Sequence, residues 1–493
     1  MGSVKNKAWF FFLLLLVLYF ALQLFHLTAL PVFADESIYI RWAQLIIDDF
    51  NRYLFYPMND GKTPLLMWLM VPFLHFFSDQ LYAARLVSVL AGAVSVSFIF
   101  LILAKLKEKS AAYLAMFLAI INPFIFFHNR LAITDALLLA NLIVAYYFTL
   151  LIVKNKSLWA ILGLAGFFFL AIMSKTPALL FMPVFYLAIF FEEKLTLKLI
   201  VEKGLKISAG LLLAGLAFAS FKVVPLFSQL FAVGGNFLQS KEVIFSTAIW
   251  PVIVHNTTFF MEQLMTYLGP VILVLALPAF AKTRRKQTVL FLSGILFILP
   301  LVLLGKIIYP RYILPSAFFF LSSAAITLHN LREKKVIRYL ALLLIILPYA
   351  MFIKNAYFNV DQLQLSKVDR EQFLQEWSSG HGIKEVTEMI QELAKTQKVA
   401  VATEGYFGTL PDGILLNLHN QDVKNIYVEG IGQPVRNIPK SFWEKAEGFD
   451  LKLLVVNSHR LKMEIPPKQR LASFCRPNGA PCLEVWEIEI ANP

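Results

Sequence analysis

Long apolar runs alternate along the chain with short polar connections. A bilayer span needs roughly 20 mostly apolar residues. Stretches that meet or approach this length are 8–29, 80–104, 110–127, 131–153, 158–174, 176–191, 205–224, 259–281, 287–304, 312–330 and 336–353, of which the third, fifth and sixth are short. The first run follows Lys5 and Lys7, exceeds a signal-peptide core and has no small-x-small cleavage pattern after it, so it reads as a retained span. The pattern predicts a polytopic α-helical membrane protein of about eleven transmembrane helices.

The connections test this reading. With the N-terminus in the cytoplasm, every second connection is also cytoplasmic. These are "KLKEK" (105–109), "KNK" (154–156), "EEKLTLKLIVEKGLK" (192–206), "KTRRK" (282–286) and "REKK" (332–335), all rich in Lys and Arg. The opposite connections, 30–79, 128–130, 174–176, 225–258 and 305–311, carry fewer. The alternation places the hydrophilic tail after Lys354 outside the cytoplasm.

Two outer connections are long. In 30–79, "ESIYIRWAQLIIDDF" sets Ile38, Trp42, Leu45 and Ile46 against Asp48 and Asp49 at helical spacing, as an interfacial helix would. "TPLLMWLMVPFLHFF" (63–77) is a second apolar stretch too short to span comfortably, predicted to lie in the interface or dip into it. The connection 225–258 contains Gly234-Gly235-Asn236 and reads as a mobile loop. The tail changes character: "KVAVATE", "KNIYVE" and "LKLLVVNS" are short β-branched runs, and "VTEMIQELAKT" has a helical period. The expected organisation is a membrane domain over 1–355 and a small extracytoplasmic α/β domain over 356–493.

Composition agrees. The 493 residues are 58% hydrophobic and only 16% charged, with 45 Lys and Arg against 32 Asp and Glu. The excess positive charge is spread over the short connections. It therefore suits topology and anionic lipid headgroups, and no nucleic-acid partner is expected. Cys475 and Cys482 are the only cysteines. They either close a small loop in an oxidising compartment or remain free thiols. No Cys/His cluster suggests a structural zinc site.

The polar residues with chemical promise all fall on the outer side: Asp35, Glu36, Arg41 and Lys62; His128, Asn129, Arg130 and Asp135; Lys175; Lys306, Tyr309, Arg311 and Tyr312. Ionisable residues at a membrane edge pair with one another or line a polar cavity. Acids and bases gathered on one face suit an anionic ligand held by cations beside a carboxylate base. Each has a plainer reading. Asp35 and Glu36 suit a helix N-terminus. Arg130 and Asp135 suit a structural ion pair, and the lysines suit lipid phosphates.

Four segments resemble the C-type glycosyltransferase superfamily, in its protein O-mannosyltransferase and lipid A aminoarabinose transferase branch. "ADESIYIRWAQ" (34–44) resembles that family's Asp-Glu-x-x-Tyr signature, which ends here on Tyr39. "NDGKTPLLMW" (59–68), "NRLAITDALLL" (129–139) and "GKIIYPRYILP" (305–315) resemble its Lys-x-Pro-Leu, Arg…Thr-Asp and Lys…Pro-x-Tyr-x-Leu-Pro stretches. Order, spacing and side agree over about 8–355. Two positions depart: Gly61 stands where some relatives place an acid, and Ile38 where the aminoarabinose branch has arginine.

The resemblance implies inverting transfer from a polyprenyl-phosphate sugar to an acceptor protein, lipid or glycan, on the outer face of the cytoplasmic membrane. It implies Asp35 as general base, with Glu36 and Asp135 as the further catalytic carboxylates. Lys62, Lys306, Arg311 and Tyr312 would meet the donor phosphate, with Arg130 and Tyr39 in support. Phosphate is already a good leaving group, so no cofactor is required; a metal site built on an acid before Lys62 lacks that acid here. Two other classes are expected to look different. A secondary transporter places its charges near the bilayer midplane, often within internal repeats, and a membrane-anchored assembly protein would work through its tail.

Overall fold

The computed structural model describes residues 2–154, 158–278, 284–419, 421 and 424–489. The chain folds as two compact units. The first takes Met1–Leu27, Asn51–Leu69 and Arg85–Phe358; the second takes Thr28–Phe50, Met70–Ala84 and Asn359–Pro493. The tail thus folds together with two pieces of the first outer connection.

The first unit is helical, and the chain is a multi-pass membrane protein. Among the described residues, seven helices are long and apolar enough to cross a bilayer: Gln80–Lys105, Thr134–Lys154, Leu197–Val223, Ile249–Ala276, Arg284–Leu304, Pro310–Glu333 and Lys335–Phe358. Shorter apolar helices over Trp9–Leu24, Lys109–Ile121, Leu158–Ser174 and Thr176–Phe191 coincide with the other expected spans, and Leu65–Phe76 with the short apolar stretch of the first outer connection. Residues 155–156 and 282–283 of the basic connections, and the end of the expected span 259–281, lie outside the described residues.

Burial separates central from peripheral helices. The apolar stretches of Pro310–Glu333 and Thr134–Lys154 are 89% and 83% buried, against 28% for Leu197–Val223 and Lys335–Phe358. The two central helices begin at Pro310 and Thr134 and carry Arg311 and Asp135 as their second residues, so the best-packed elements present those side chains.

Two breaks depart from the expected spans. The run 110–127 is two helices, Lys109–Ile121 and Pro123–His128, because Pro123 lacks an N–H and disfavours helical backbone at Asn122. Helix Ile249–Ala276 breaks at Gly269, which has φ +77° and precedes Pro270. Freed polar groups cannot stay unsatisfied in hydrocarbon. The Asn122 side chain accepts from the Ile125 N–H and donates to the Tyr267 carbonyl at 3.0 Å and to Tyr349 Oη at 2.9 Å. Tyr349 Oη in turn donates to the Leu268 carbonyl at 2.7 Å. One amide thus serves both breaks.

Of the connection 225–258, where a loop is expected, residues 225–244 form short helical turns and residues from 249 on already belong to helix Ile249–Ala276. Gly234 and Gly235 both hold helical dihedrals. Phe218, Phe227 and Phe231 pack ring against ring before them, with centroids 5.2–6.4 Å apart.

The second unit is α/β. Its sheet has strands β1 (Val399–Thr403), β2 (Ile426–Gly430), β3 (Leu451–Asn457), β4 (Arg470–Cys475) and β5 (Cys482–Glu487), in the order β2-β1-β3-β5-β4. β1 pairs parallel with β2 and β3, while β5 runs antiparallel between β3 and β4. β1 is buried along its whole length, as a central parallel strand covered on both faces must be. Cys475 and Cys482 face each other across the β4–β5 hairpin and form a disulfide, deciding between the two readings of that pair.

Helix Ala34–Asp48 belongs to this unit and packs on helix Asp412–Leu418. Its buried Gln44 donates to the Leu416 carbonyl at 2.9 Å and to Gln80 Oε1 at 3.1 Å. At its start, the Ala34 N–H donates to the Ser378 carbonyl at 2.9 Å, and Phe33 bridges to Ser379. The amphipathic pattern read as an interfacial helix is met by packing against the tail.

Candidate active site

In the helical unit, one carboxylate lies under two cations. Thr134 opens a central helix, so Asp135 sits in its first turn, where the helix dipole favours negative charge. Lys175 Nζ lies 2.8 Å from Asp135 Oδ1, and Arg311 Nε lies 4.0 Å from Oδ2. The Asp135 side chain is only 4% exposed. Two cations against one carboxylate give the cluster a net positive charge, which suits it to an anion.

Aromatic faces hold both cations in place. Lys175 Nζ stands 4.7 Å from the Tyr312 ring centroid, and the Arg311 guanidinium stands 5.0 Å from that of Tyr309. The two rings meet edge to face at 5.6 Å. The "YPRY" stretch makes this possible. Pro310 starts a single 3-10 turn over Pro310–Ile313 that leads into the helix, and Tyr309 and Tyr312 flank Arg311.

Phe237 joins the Lys62 side chain to the backbone at Lys306. Lys62 Nζ lies 5.7 Å from the Phe237 ring centroid, and the Lys306 N–H donates to the Phe237 carbonyl at 2.9 Å. The charges of Lys62 and Lys175 act on one another, so the two groups share one field. Gly61 explains its own departure from the family pattern. It holds φ +69°, and a Cβ there would lie 2.8 Å from Val233 Cβ. No acidic side chain fits at position 61, directly before Lys62.

Arg130 does not join this group. Its guanidinium donates to the carbonyls of Leu22, Gln23 and His26 at 3.1, 2.5 and 2.5 Å, where an ion pair with Asp135 was one expectation. Tyr357 Oη also donates to Leu22, and Arg85 donates to the Leu27 carbonyl at 2.9 Å. These residues satisfy the carbonyl end of the first span. Asp135 pairs with Lys175 instead, a residue whose plainer reading was lipid-phosphate contact. The signal was an outer lysine between two apolar runs, matching an outer aspartate.

Asp35, Glu36 and Tyr39 belong to the other unit. Glu36 is fully buried, and its carboxylate accepts the Phe33 N–H at 2.9 Å, closing the first turn of the helix. Asp35 sits beside it in the same turn, half-buried. Tyr39 is buried against Trp42, with ring centroids 5.8 Å apart. Among the described residues, no group of three or more His, Cys, Asp or Glu side chains is arranged to hold a metal ion.

Residues 61–220 match the family model for dolichyl-phosphate-mannose-protein mannosyltransferase. No curated protein matches the chain in sequence. Among solved structures, ArnT from Cupriavidus metallidurans bound to undecaprenyl phosphate is similar at a TM-score of 0.59 and 12% identity, covering 99% of each chain. Its apo state gives 0.56 at 12% identity, covering 98% of each. The Archaeoglobus fulgidus oligosaccharyltransferase in complex with Zn and sulfate gives 0.51 at 13% identity, covering 90% of this chain and 68% of that one. The resemblance to C-type glycosyltransferases is borne out: the chain has their fold, and residues 61–220 carry the family match.

Proposed function

We propose that the chain is an inverting glycosyltransferase that moves a sugar from a polyprenyl-phosphate donor to an acceptor on the outer face of the cytoplasmic membrane. The observation that carries this reading is the aspartate held under two cations at the ends of the central helices, in a chain with the fold of membrane glycosyltransferases. The net positive field there suits a leaving phosphate.

In this reading Asp35 takes the proton of the acceptor hydroxyl. The acceptor oxygen forms a bond to the anomeric carbon as the bond from that carbon to the phosphate oxygen breaks. The configuration inverts, and polyprenyl phosphate leaves with the electron pair. Positive charge develops on the sugar, which an ionised carboxylate nearby stabilises. Negative charge grows on the phosphate and is met by Lys62, Lys306 and Arg311, with a hydrogen bond from Tyr312. Asp135 holds Lys175 and Arg311 in place while leaving the cluster net positive. Glu36 steadies the helix start that presents Asp35.

The charge pattern of the connections supports the outer assignment, and the disulfide in the tail suits an oxidising compartment. The test is incubation of the purified protein with a panel of polyprenyl-phosphate sugars, reading release of polyprenyl phosphate with and without acceptor. Release from at least one donor supports the reading; no release from any donor, with acceptor present, counts against it.

A further inference from the structure

The second unit carries a polar and aromatic crevice that the transfer step does not use. β1 lies between β2 and β3, all parallel, so the chain leaves the carboxyl ends of β1 and β3 in different directions. Open α/β sheets bind ligands at such a switch point. Here it is formed by 404–412, after β1, and 458–461, after β3.

Its floor is polar. Glu404 is buried and accepts the Asn457 N–H at 2.9 Å, Asn457 Nδ2 at 2.5 Å and Arg460 Nη1 at 3.3 Å. Arg460 also donates to Gln433 Oε1, and its guanidinium lies 4.5 Å from the Trp377 ring centroid. Asn457 is 1% exposed, and its Oδ1 is a buried acceptor with no hydrogen-bond partner among the described residues. An orphan acceptor of this kind is destabilising unless a donor reaches it.

Its rim is aromatic. Tyr406 and Phe407 are adjacent and 71% and 65% exposed. Among the described residues after Phe358, Leu471 is the only other large apolar side chain that is exposed. The pair rides on a loop between Gly405 and Gly408, at φ +73° and +109°. Tyr406 rests on the backbone of Gly432, where a Cβ would meet its hydroxyl at 2.9 Å. Trp377 is likewise backed by Gly408, at 3.2 Å.

The charges balance: Glu376, Glu404 and Asp412 stand against Arg460, Arg476 and Lys462, three of each sign. This does not favour a phosphate or an anionic lipid. Fixed aromatic faces beside amide, guanidinium and carboxylate groups suit a neutral ligand with an apolar face and many hydroxyls. The crevice also shares a loop with the Asp35 helix. Trp377 directly precedes Ser378, whose carbonyl accepts the Ala34 N–H, and Thr409 Oγ1 donates to the Trp377 carbonyl at 2.7 Å.

We infer that this crevice binds a neutral glycan, and that the glycan is the acceptor; the second half of the inference rests on Asp35 acting as base. The test uses the full chain in detergent, with maltotriose, mannotriose and N-acetylchitotriose as probes and binding read by calorimetry without donor. At least one trisaccharide binds at millimolar concentration. The double variant Tyr406→Ala, Phe407→Ala weakens it about tenfold or more, while Leu471→Ala leaves it unchanged. Both rim residues are exposed, so the fold survives, and an unchanged melting temperature checks this. Failure of all three probes overturns the inference. So does binding indifferent to the rim variant, or preference for a phosphorylated trisaccharide or a peptide. Sugar transfer without glycan binding overturns this site alone; glycan binding without any transfer overturns the transferase reading and the acceptor role that rests on it, and leaves the binding site standing.

Discussion

Replacing Lys175 by methionine removes the nearer cation from Asp135. The carboxylate is 4% exposed and loses its 2.8 Å partner, leaving Arg311 Nε at 4.0 Å. Breaking a buried ion pair from one side costs about 3–5 kcal/mol. An exposed pair is worth roughly 0.2–1 kcal/mol. Lys175 is 22% exposed, between these limits, and Arg311 still compensates in part. The expected cost is about 2–3 kcal/mol, or about 3–5 °C in the melting temperature of a unit this size. Asp135→Leu alone leaves two unbalanced cations and costs a similar amount. The double variant Lys175→Met, Asp135→Leu buries neither charge and recovers about 1–2 kcal/mol relative to the sum. The assay is thermal unfolding in detergent by intrinsic fluorescence, over all four members of the cycle. Strictly additive losses would show that the two residues are not energetically paired, and the account of this cluster would fall.

Two further outcomes follow from local geometry. Gly61→Ala places a Cβ in left-handed backbone 2.8 Å from Val233 Cβ. It should cost about 1–2 kcal/mol from backbone alone and raise the KM for donor by displacing Lys62; an unchanged melting temperature and KM would refute the fit. Burial holds the Asp412 carboxyl up at about 6, although it accepts the Gly408 N–H at 2.8 Å. An unfolded Asp titrates near 3.9, so the native state binds more protons between these values, and stability falls as pH rises from about 4 to 6. Asp412→Asn keeps an acceptor without the charge. It should gain up to about 3 kcal/mol over wild type at pH 7.5 and almost nothing near pH 4; a gain that shrinks as pH rises contradicts the argument.

The spans were legible because membrane burial writes itself into composition: a residue facing lipid and one facing another helix are equally apolar. The same uniformity hid the breaks. Asn122-Pro123 and Gly269-Pro270 interrupt apolar runs whose freed polar groups are satisfied by residues far along the chain, Tyr349 above all. Sequence spacing placed Asp135 and Arg311 on one side of the membrane but could not assign partners. Arg130, five residues from Asp135, is taken by the end of the first span, while Lys175, forty residues on, is the partner. The tail's parallel strands announced themselves as short β-branched runs. β4 and β5 did not, because one face of β4 is exposed and its alternation is weak. Nothing local revealed that the Asp35 helix folds with the tail, since that depends on Gln44 and the Ala34 N–H finding partners more than 300 residues away.

The most direct measurement compares wild type with Asp35→Asn in single-turnover release of polyprenyl phosphate from a polyprenyl-phosphate sugar, with acceptor present. The asparagine keeps the size and position of the helix-start residue but cannot take a proton. Wild type should release the lipid phosphate, and the variant, equally folded by melting temperature, should be slower by roughly a hundredfold or more. Equal release rates from the two proteins would rule out Asp35 as the base.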